Sequence, residues 1–492
     1  MIAPGIFRQY DIRGIYGRDL TVEAAEAIGR AYPVILAEHG LRGAVAVGRD
    51  NRPSGGALRD ALVRGLLASG ADVVDIGEVP TPLLYWSLHH LPVVGGIQIT
   101  GSHNPPEYNG FKCCVGTGSL HGEGIQRLRE IIEAGQFPSG QAAVRLEDVV
   151  DAYVSDIAGR VGPLPSSLKV VIDCGNGAGA IVAPRLFRAL GASVTWLYET
   201  SDGTFPNHHP DPTVEANLVD LQRTVRATES ALGIGFDGDA DRIGLVDEEG
   251  TVVWGDHLLL LYARDVLTRT GPGQPIIFDV KCSQTLADGI ASAGGTPVMW
   301  KTGHSLIKDK MKALGAPLAG EMSGHMFFAE GFYGHDDALY AAARLLRIVA
   351  DAGQSVKALL ADVPHLVSTP ELRVDCPDDR KEAVVRESLA HFAARYPVSD
   401  VDGVRILFPD GAWGLIRSSN TQPILVMRFE AASAARLAEI RGEVESFLVG
   451  LGIDVTPRPG HRCVPNPQRS GGYSSPRRCW PSDNSSRAPS RP

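Results

Sequence analysis

The sequence has no apolar run approaching the ~20 residues that a membrane-spanning helix needs. Its N-terminus, MIAPGIFRQYDIRG, lacks a basic stretch followed by an apolar one. Neither a secretory leader nor a membrane partner is therefore expected, and the cytoplasm is the expected compartment. Cysteine is scarce and scattered: seven in 492 residues, with Cys113 and Cys114 adjacent and no CxxC pair. That usage excludes a disulfide framework or a cysteine-zinc site and fits a reducing compartment. Excess positive charge is missing too. The formal net charge is -10, which argues against a nucleic acid as the main partner, because counterion release needs clustered Lys and Arg. There is no GxxxxGK[ST] phosphate loop. Gly175-Asn176-Gly177-Ala178-Gly179 departs from GxGxxG and reads as a tight turn. No internal sequence repeat is visible.

What is present is ordinary globular usage, 44% hydrophobic and 21% charged residues, in a chain too long for one core. From Ala44 the pattern alternates apolar strands (AVAVG, ADVVDIG, GGIQIT, FKCCV) with an amphipathic helix over 55–69, which favours a mixed or parallel α/β sheet. A Pro- and Gly-containing linker follows at 162–167. The rhythm restarts with KVVID, a helix at 183–190, SVTWLY and LGIGFD. It restarts again near Trp254 with a helix at 257–267, PIIFDV, TPVMWK and APLAGEMSG. From about Pro370 it changes to strand, helix (381–396), three short strands and a helix (433–451), a small α+β unit with an antiparallel sheet. After Thr456 the chain becomes rich in Pro, Ser and Arg and poor in aliphatics, so a disordered tail is expected there.

Four loops carry chemistry. Thr100-Gly101-Ser102-His103-Asn104 follows a strand and sets a hydroxyl beside an imidazole, which suits a nucleophile or phosphoryl carrier with Ser102 and His103 as the catalytic candidates. Asn104 stands where a hydrolase nucleophile elbow needs Gly. Asp237, Asp239 and Asp241 alternate after an apolar strand. Three like charges in one turn call for a hard cation, Mg²⁺ before Ca²⁺. Arg242 in place of the Gly after the third acid excludes an EF-hand. An aspartate-nucleophile phosphatase, with Asp237 attacking, is the competing enzyme reading. Gly320-Glu321-Met322-Ser323-Gly324-His325 offers Glu321 and Ser323 to sugar hydroxyls and His325 to a proton or phosphate. Arg417-Ser418-Ser419-Asn420-Thr421 suits a phosphate dianion.

In this order and spacing, and with Phe7-Arg8-Gln9-Tyr10-Asp11-Ile12-Arg13-Gly14 ahead of them, the loops resemble the α-D-phosphohexomutase superfamily, nearest its bacterial phosphomannomutase/phosphoglucomutase branch. The resemblance runs to about Leu451. It implies an α/β fold of four domains around a central cleft, three related α/β domains and a smaller α+β one. The boundaries fall at 1–150, 151–253, 254–367 and 368–453, with 454–492 as the tail. It implies an isomerase that interconverts hexose 1-phosphate and hexose 6-phosphate through phosphoserine at Ser102, with glucose 1,6-bisphosphate as activator and intermediate. One Mg²⁺ is held by Asp237, Asp239, Asp241 and the serine phosphate, with Arg242 beside it. Glu321 and Ser323 grip the sugar, while Arg417, Ser419, Asn420 and Thr421 hold the idle phosphate. Tyr10 and Arg13 line the cleft, and Lys281 and His304 are further phosphate- and sugar-loop contacts. Lys112 is the first candidate for general base, provided Arg13 and partial burial depress its pKa, and His325 is the second. Phosphosugars are the partners, and a monomer is expected before a dimer. Phosphoglucosamine mutase is the rival within the class, although Met322 departs from its sugar loop. A catalytically dead binding relative is disfavoured by the intact motifs.

Overall fold

The computed structural model describes residues 2–165, 167–419 and 423–456; residues 457–492, most of the expected tail, lie outside that set. Four sheets follow one another along the chain. The first is mixed. Strands Ala44–Arg49, Val73–Glu78, Val93–Ile99 and Val144–Leu146 run parallel, and Tyr108–Val115 and Ile12–Ile15 add antiparallel on one side. The interior strands are apolar on both faces because helices cover both sides. Helices Val22–Glu38 and Gly55–Ala68 can touch because each presents a glycine. A Cβ at Gly29 would lie 2.2 Å from the Leu62 carbonyl oxygen, and one at Gly65 would lie 2.1 Å from that of Glu26.

The second sheet orders Val252–Val253, Ile243–Asp247, Leu232–Phe236, Lys169–Asp173 and Ser193–Leu197. The third orders Thr296–Trp300, Pro275–Asp279, Leu318–Gly320 and Met326–Phe328. In both, an antiparallel hairpin carries a loop of chemical interest at its tip: 237–242 in the second, 321–325 in the third. The fourth sheet is antiparallel throughout, around Ile424–Ala431 and Trp413–Ser418, with helices Asp378–Ala393 and Ala434–Gly450 packed on it.

One apolar cluster runs without a break from the first sheet (Ala46, Val74) through the second (Val170, Ile234) to the third (Ile276, Phe328). The last unit has its own core, from Leu372 to Ile453. Val280, Trp413 and Leu415 form a small separate cluster joining the third and fourth units. Among the described residues no helix is long and apolar enough to cross a membrane, and the described cysteines, all buried, are unpaired.

Candidate active site

Strand Val93–Ile99 ends at Thr100, and the chain turns so sharply that Ser102 adopts φ +50°, a left-handed value that residues with a Cβ rarely take. Two residues just past the neighbouring strand hold it there. Asp50 Oδ2 accepts from Thr100 Oγ1 (2.8 Å) and from the Gly101 amide (3.1 Å). Arg52 donates Nη2 to the carbonyls of Ser102 and Asn104 (both 2.6 Å) and Nη1 to those of Pro105 (2.5 Å) and Tyr108 (2.9 Å). The guanidinium is buried but well satisfied, its Nε paired with Asp50 at 3.1 Å, which is the condition for keeping a charge in the interior. A Cβ at Gly101 would lie 2.4 Å from its Cζ. Neither Asp50 nor Arg52 belongs to a loop singled out from the sequence. Their signal is the polar run Asp50-Asn51-Arg52 directly after an apolar strand.

The hairpin loop of the second sheet meets this serine. Ser102 Oγ donates to Asp237 Oδ2 at 3.0 Å and lies 3.2 Å from His103 Nδ1. The approach is close: a Cβ at Gly238 would lie 2.4 Å from the Ser102 carbonyl oxygen. Asp237 Oδ1 accepts from the amides of Asp241 and Arg242, both at 3.1 Å. Asp239 Oδ2 accepts from Thr81 (2.5 Å), Thr100 (3.1 Å) and Lys112 (2.9 Å), and Lys112 also pairs with Asp241. Thr81 is a further residue that no motif announced.

All three carboxylates are fully buried, and one lysine does not balance them. Burial, with Asp241 and Asp239 nearby, pushes the Asp237 carboxyl well above the usual range. Burial acts the same way on Asp239, but Lys112 and the Thr81 hydrogen bond outweigh it and hold that group low. Asp239 Oδ1 and Asp241 Oδ1 are buried with no hydrogen-bond partner. Unsatisfied carboxylate oxygens converging in a dry loop of oxygen donors fit a hard divalent cation.

The depressed pKa expected for Lys112 is not found. Burial does pull the ammonium down, but Asp239, Asp241 and Asp336 more than compensate and place it above an ordinary lysine. Lys112 is the counter-charge of the acidic loop, and His325 is the second candidate for base. Its Nε2 accepts from Arg242 Nε at 3.0 Å, so that nitrogen carries a lone pair. His103 is held neutral, its pKa driven well down by burial and by Arg242 and Arg13.

From His325 a chain of contacts leads to the fourth unit. The Glu321 amide donates to the His325 carbonyl at 2.9 Å. Glu321 Oε1 accepts from the Gly303 amide at 2.6 Å, and the Ser323 hydroxyl lies 3.5 Å from Oε2. Burial raises the Glu321 pKa. Next to Gly303, the Thr302 carbonyl accepts from the Tyr10 hydroxyl (2.7 Å), while the Thr302 amide and Arg417 Nε share Asp402 Oδ2 (3.1 and 3.0 Å). Lys281 Nζ lies 3.4 Å from Glu371, at the entry to the fourth unit. Ser419 is buried beside Arg417 and its carbonyl accepts from Lys381. Arg13 pairs with Asp11 at 2.5 Å and keeps its Nε unpartnered. His304 stacks at 5.6 Å on His325. Asn420 and Thr421 lie outside the described residues. The structure thus joins one group around Ser102 and the three aspartates to a second around Arg417, through Glu321 and the Thr302–Gly303 turn.

Four units of this make, with a buried serine meeting an aspartate loop and a distant arginine loop, define a phosphohexomutase architecture. The chain belongs to the phosphoglucomutase/phosphomannomutase family. Its alpha/beta/alpha domain I matches residues 4–139, domain II 151–250, domain III 254–367 and the C-terminal domain 371–446. A phosphomannomutase/phosphoglucomutase of Pseudomonas aeruginosa is 48% identical over 440 residues, 89% of this chain and 94% of the relative. A phosphoglucomutase of Neisseria gonorrhoeae is 45% identical over 452 residues, 91% and 97% of the two chains. The crystal structure of a phosphoglucomutase/phosphomannomutase family protein from Burkholderia thailandensis superposes with a TM-score of 0.86 at 44% identity, covering 94% of this chain and 99% of that one.

Proposed function

We propose that this chain is a phosphomannomutase/phosphoglucomutase that works through a phosphoserine at Ser102 and a hexose 1,6-bisphosphate turned over between two half-reactions. The observation that carries the reading is Ser102 Oγ, held 3.0 Å from Asp237 in a loop whose other aspartates keep unsatisfied oxygens. In the first half-reaction a substrate hydroxyl oxygen bonds to phosphorus as the bond from phosphorus to Ser102 Oγ breaks. The hydroxyl proton passes to His325 Nε2 as the hydroxyl displaces Arg242 Nε from that nitrogen, and the freed serine oxygen faces Asp237 and the neutral His103. After the bisphosphate turns, the same steps run in reverse from its other phosphate. Asp237, Asp239 and Asp241, with an oxygen of the phosphoserine, would hold one magnesium ion, which supplies positive charge against the phosphoryl oxygens.

Arg417, Ser419, Asn420 and Thr421 hold the phosphate that is not reacting. Glu321 and Ser323, with Tyr10, Arg13, Lys281 and His304 around them, grip hydroxyls common to both orientations. Glucose and mannose differ at C2 alone, so a grip on O3 and O4 accepts both. We place the domains at 1–150, 151–253, 254–367 and 368–453, and the protein in the cytoplasm as a monomer that uses glucose 1,6-bisphosphate as activator. The phosphatase reading loses ground because all four units of this chain match domains of the phosphoglucomutase/phosphomannomutase family.

The deciding assay supplies mannose 1-phosphate, glucose 1-phosphate and glucosamine 1-phosphate with Mg²⁺ and a trace of glucose 1,6-bisphosphate. Comparable conversion of the first two to 6-phosphates, without free phosphate, is the expected result. Preference for the third would move the chain to the phosphoglucosamine branch, and free phosphate without isomer would overturn the mutase.

A further inference from the structure

Asp336 belongs to none of the loops singled out above, yet it is fully buried beside them. Its backbone bridges to Phe327, two residues beyond His325, which brings its carboxylate under the imidazole. Oδ1 accepts from Lys308 Nζ at 3.0 Å. Oδ2 faces two rings, lying 3.2 Å from His325 Nδ1 and 3.7 Å from His304 Nδ1. All three of these atoms are buried, and none of them makes a hydrogen bond of good geometry, so the carboxylate faces the two rings as a charge at short range. Lys308 is itself fixed, its ammonium 4.0 Å above the Tyr85 ring of the first unit. Burial works against a charge on Asp336, but Lys308, His325 and His304 outweigh it and keep the carboxyl ionised.

The other edge of His325 completes the picture. Nε2 accepts from Arg242 Nε, and a guanidinium has no lone pair to offer, so the ring proton belongs on Nδ1, which faces Asp336 Oδ2 at 3.2 Å and, farther off, Asp241 Oδ1 at 3.6 Å. We propose that Asp336 is a positioning residue that fixes the tautomer and plane of His325, so that the Nε2 lone pair is directed at Arg242 beside the serine loop. The use made of that nitrogen rests on the mutase reading; the tautomer itself does not. A buried carboxylate holding the far nitrogen of an imidazole is a general device for aiming its near one.

A metal at the same place is the competing explanation, because ligand atoms of Asp241, His325 and Asp336 lie within 4.8 Å of one another. Lys308 decides against it, because it already occupies Oδ1 of Asp336, and Asp241 is claimed by the ion proposed for the aspartate loop.

The test starts with the native, unliganded protein labelled with ¹⁵N-histidine, at a pH where free histidine is neutral. His325 is assigned by the signal lost in His325→Gln. The expected spectrum shows a protonated Nδ1 and a bare Nε2. A proton on Nε2 would overturn the proposal, and this measurement needs no variant of Asp336. In Asp336→Asn the signal should broaden or move toward the other tautomer, and kcat should fall by about 100-fold with KM changed by no more than about threefold. Asp336→Glu should recover part of the loss. An Asn variant that keeps both the tautomer and its turnover would overturn the proposal. So would Zn²⁺ binding by the native chain that disappears in Asp336→Asn, which would make Asp336 a metal ligand. Failure of the mutase reading would show separately, as free phosphate without isomer from the native protein.

Discussion

The serine end and the arginine end of the site are built on different principles. Around Ser102, residues from the first three units interlock. Arg52 grips four carbonyls of the serine loop, Gly238 sits against the Ser102 carbonyl, and Lys112 of the first sheet pairs with Asp239 and Asp241 of the second. The apolar core beneath is continuous through all three units. Arg417 stands on a domain with its own core, joined to the rest through Asp402, the small Trp413 cluster and a few polar links such as Arg405 to the carbonyls of Val280 (2.6 Å) and Cys282 (2.8 Å). The difference teaches that the serine end is built on a core shared by three units, whereas the proposed grip on the idle phosphate sits on a unit with a core of its own. The turnover of a bisphosphate proposed above would use such an asymmetry, the grip loosening while the reactive end stays assembled.

The largest effect should come from Ser102→Ala. Turnover is expected to fall on the order of 10⁴-fold or more while the dissociation constant for hexose 1-phosphate, read by calorimetry, stays within a few-fold. Unchanged turnover would remove the serine from the chemistry and with it the meaning of the rigid end. Gly238→Ala comes next. The added methyl has no room against the Ser102 carbonyl, and a displacement of order 1 Å costs roughly 100-fold in rate. Steady-state kinetics should put the loss in kcat; a wild-type kcat would show that the serine end yields as easily as the arginine end.

Arg417→Ala should act in the opposite sense, raising KM by about 10–100-fold, the worth of a charged hydrogen bond, with a smaller change in kcat. A loss confined to kcat would take Arg417 out of the holding role. The smallest effect is thermal. In a calorimetric scan the fourth unit should melt apart from the other three, and saturating Mg²⁺ should raise only the transition of the first three, by a few degrees. A single transition, or an equal shift in both, would erase the distinction between the two ends.

Much of this was legible in the sequence, for physical reasons that also mark the limit. Strands such as Leu232–Phe236 and Ala44–Arg49 announce themselves because both faces are buried and their residues are continuously apolar. The serine and aspartate loops announce themselves because like charges or a hydroxyl in a glycine-rich turn need an explanation. Edge strands gave no such signal: Val144–Leu146 is exposed throughout, and Ile12–Ile15 lay inside a motif read for its chemistry. Asp50, Arg52, Thr81 and Asp336 were missed because what they do is hold another residue. Arg52 serves a serine 50 positions away and Asp336 a histidine 11 positions away, a relation that exists once the chain has folded. Lys112 shows the converse. Its place at the centre was readable, but the sign of its pKa shift depends on Asp239 and Asp241, more than a hundred positions on.

The pairing of Lys112 with that acidic loop has a consequence for how the protein comes into being. A loop of three buried aspartates with no cation of its own would have to wait, half-made, for an ion to arrive. Because the first unit brings a tethered ammonium to the second, the loop has part of its counter-charge before any ion binds. Refolding from denaturant in the presence of a chelator should therefore proceed in the native sequence and stall in Lys112→Met, with added Mg²⁺ releasing the block. In the variant the ion becomes a requirement of assembly; in the native chain it is a late arrival.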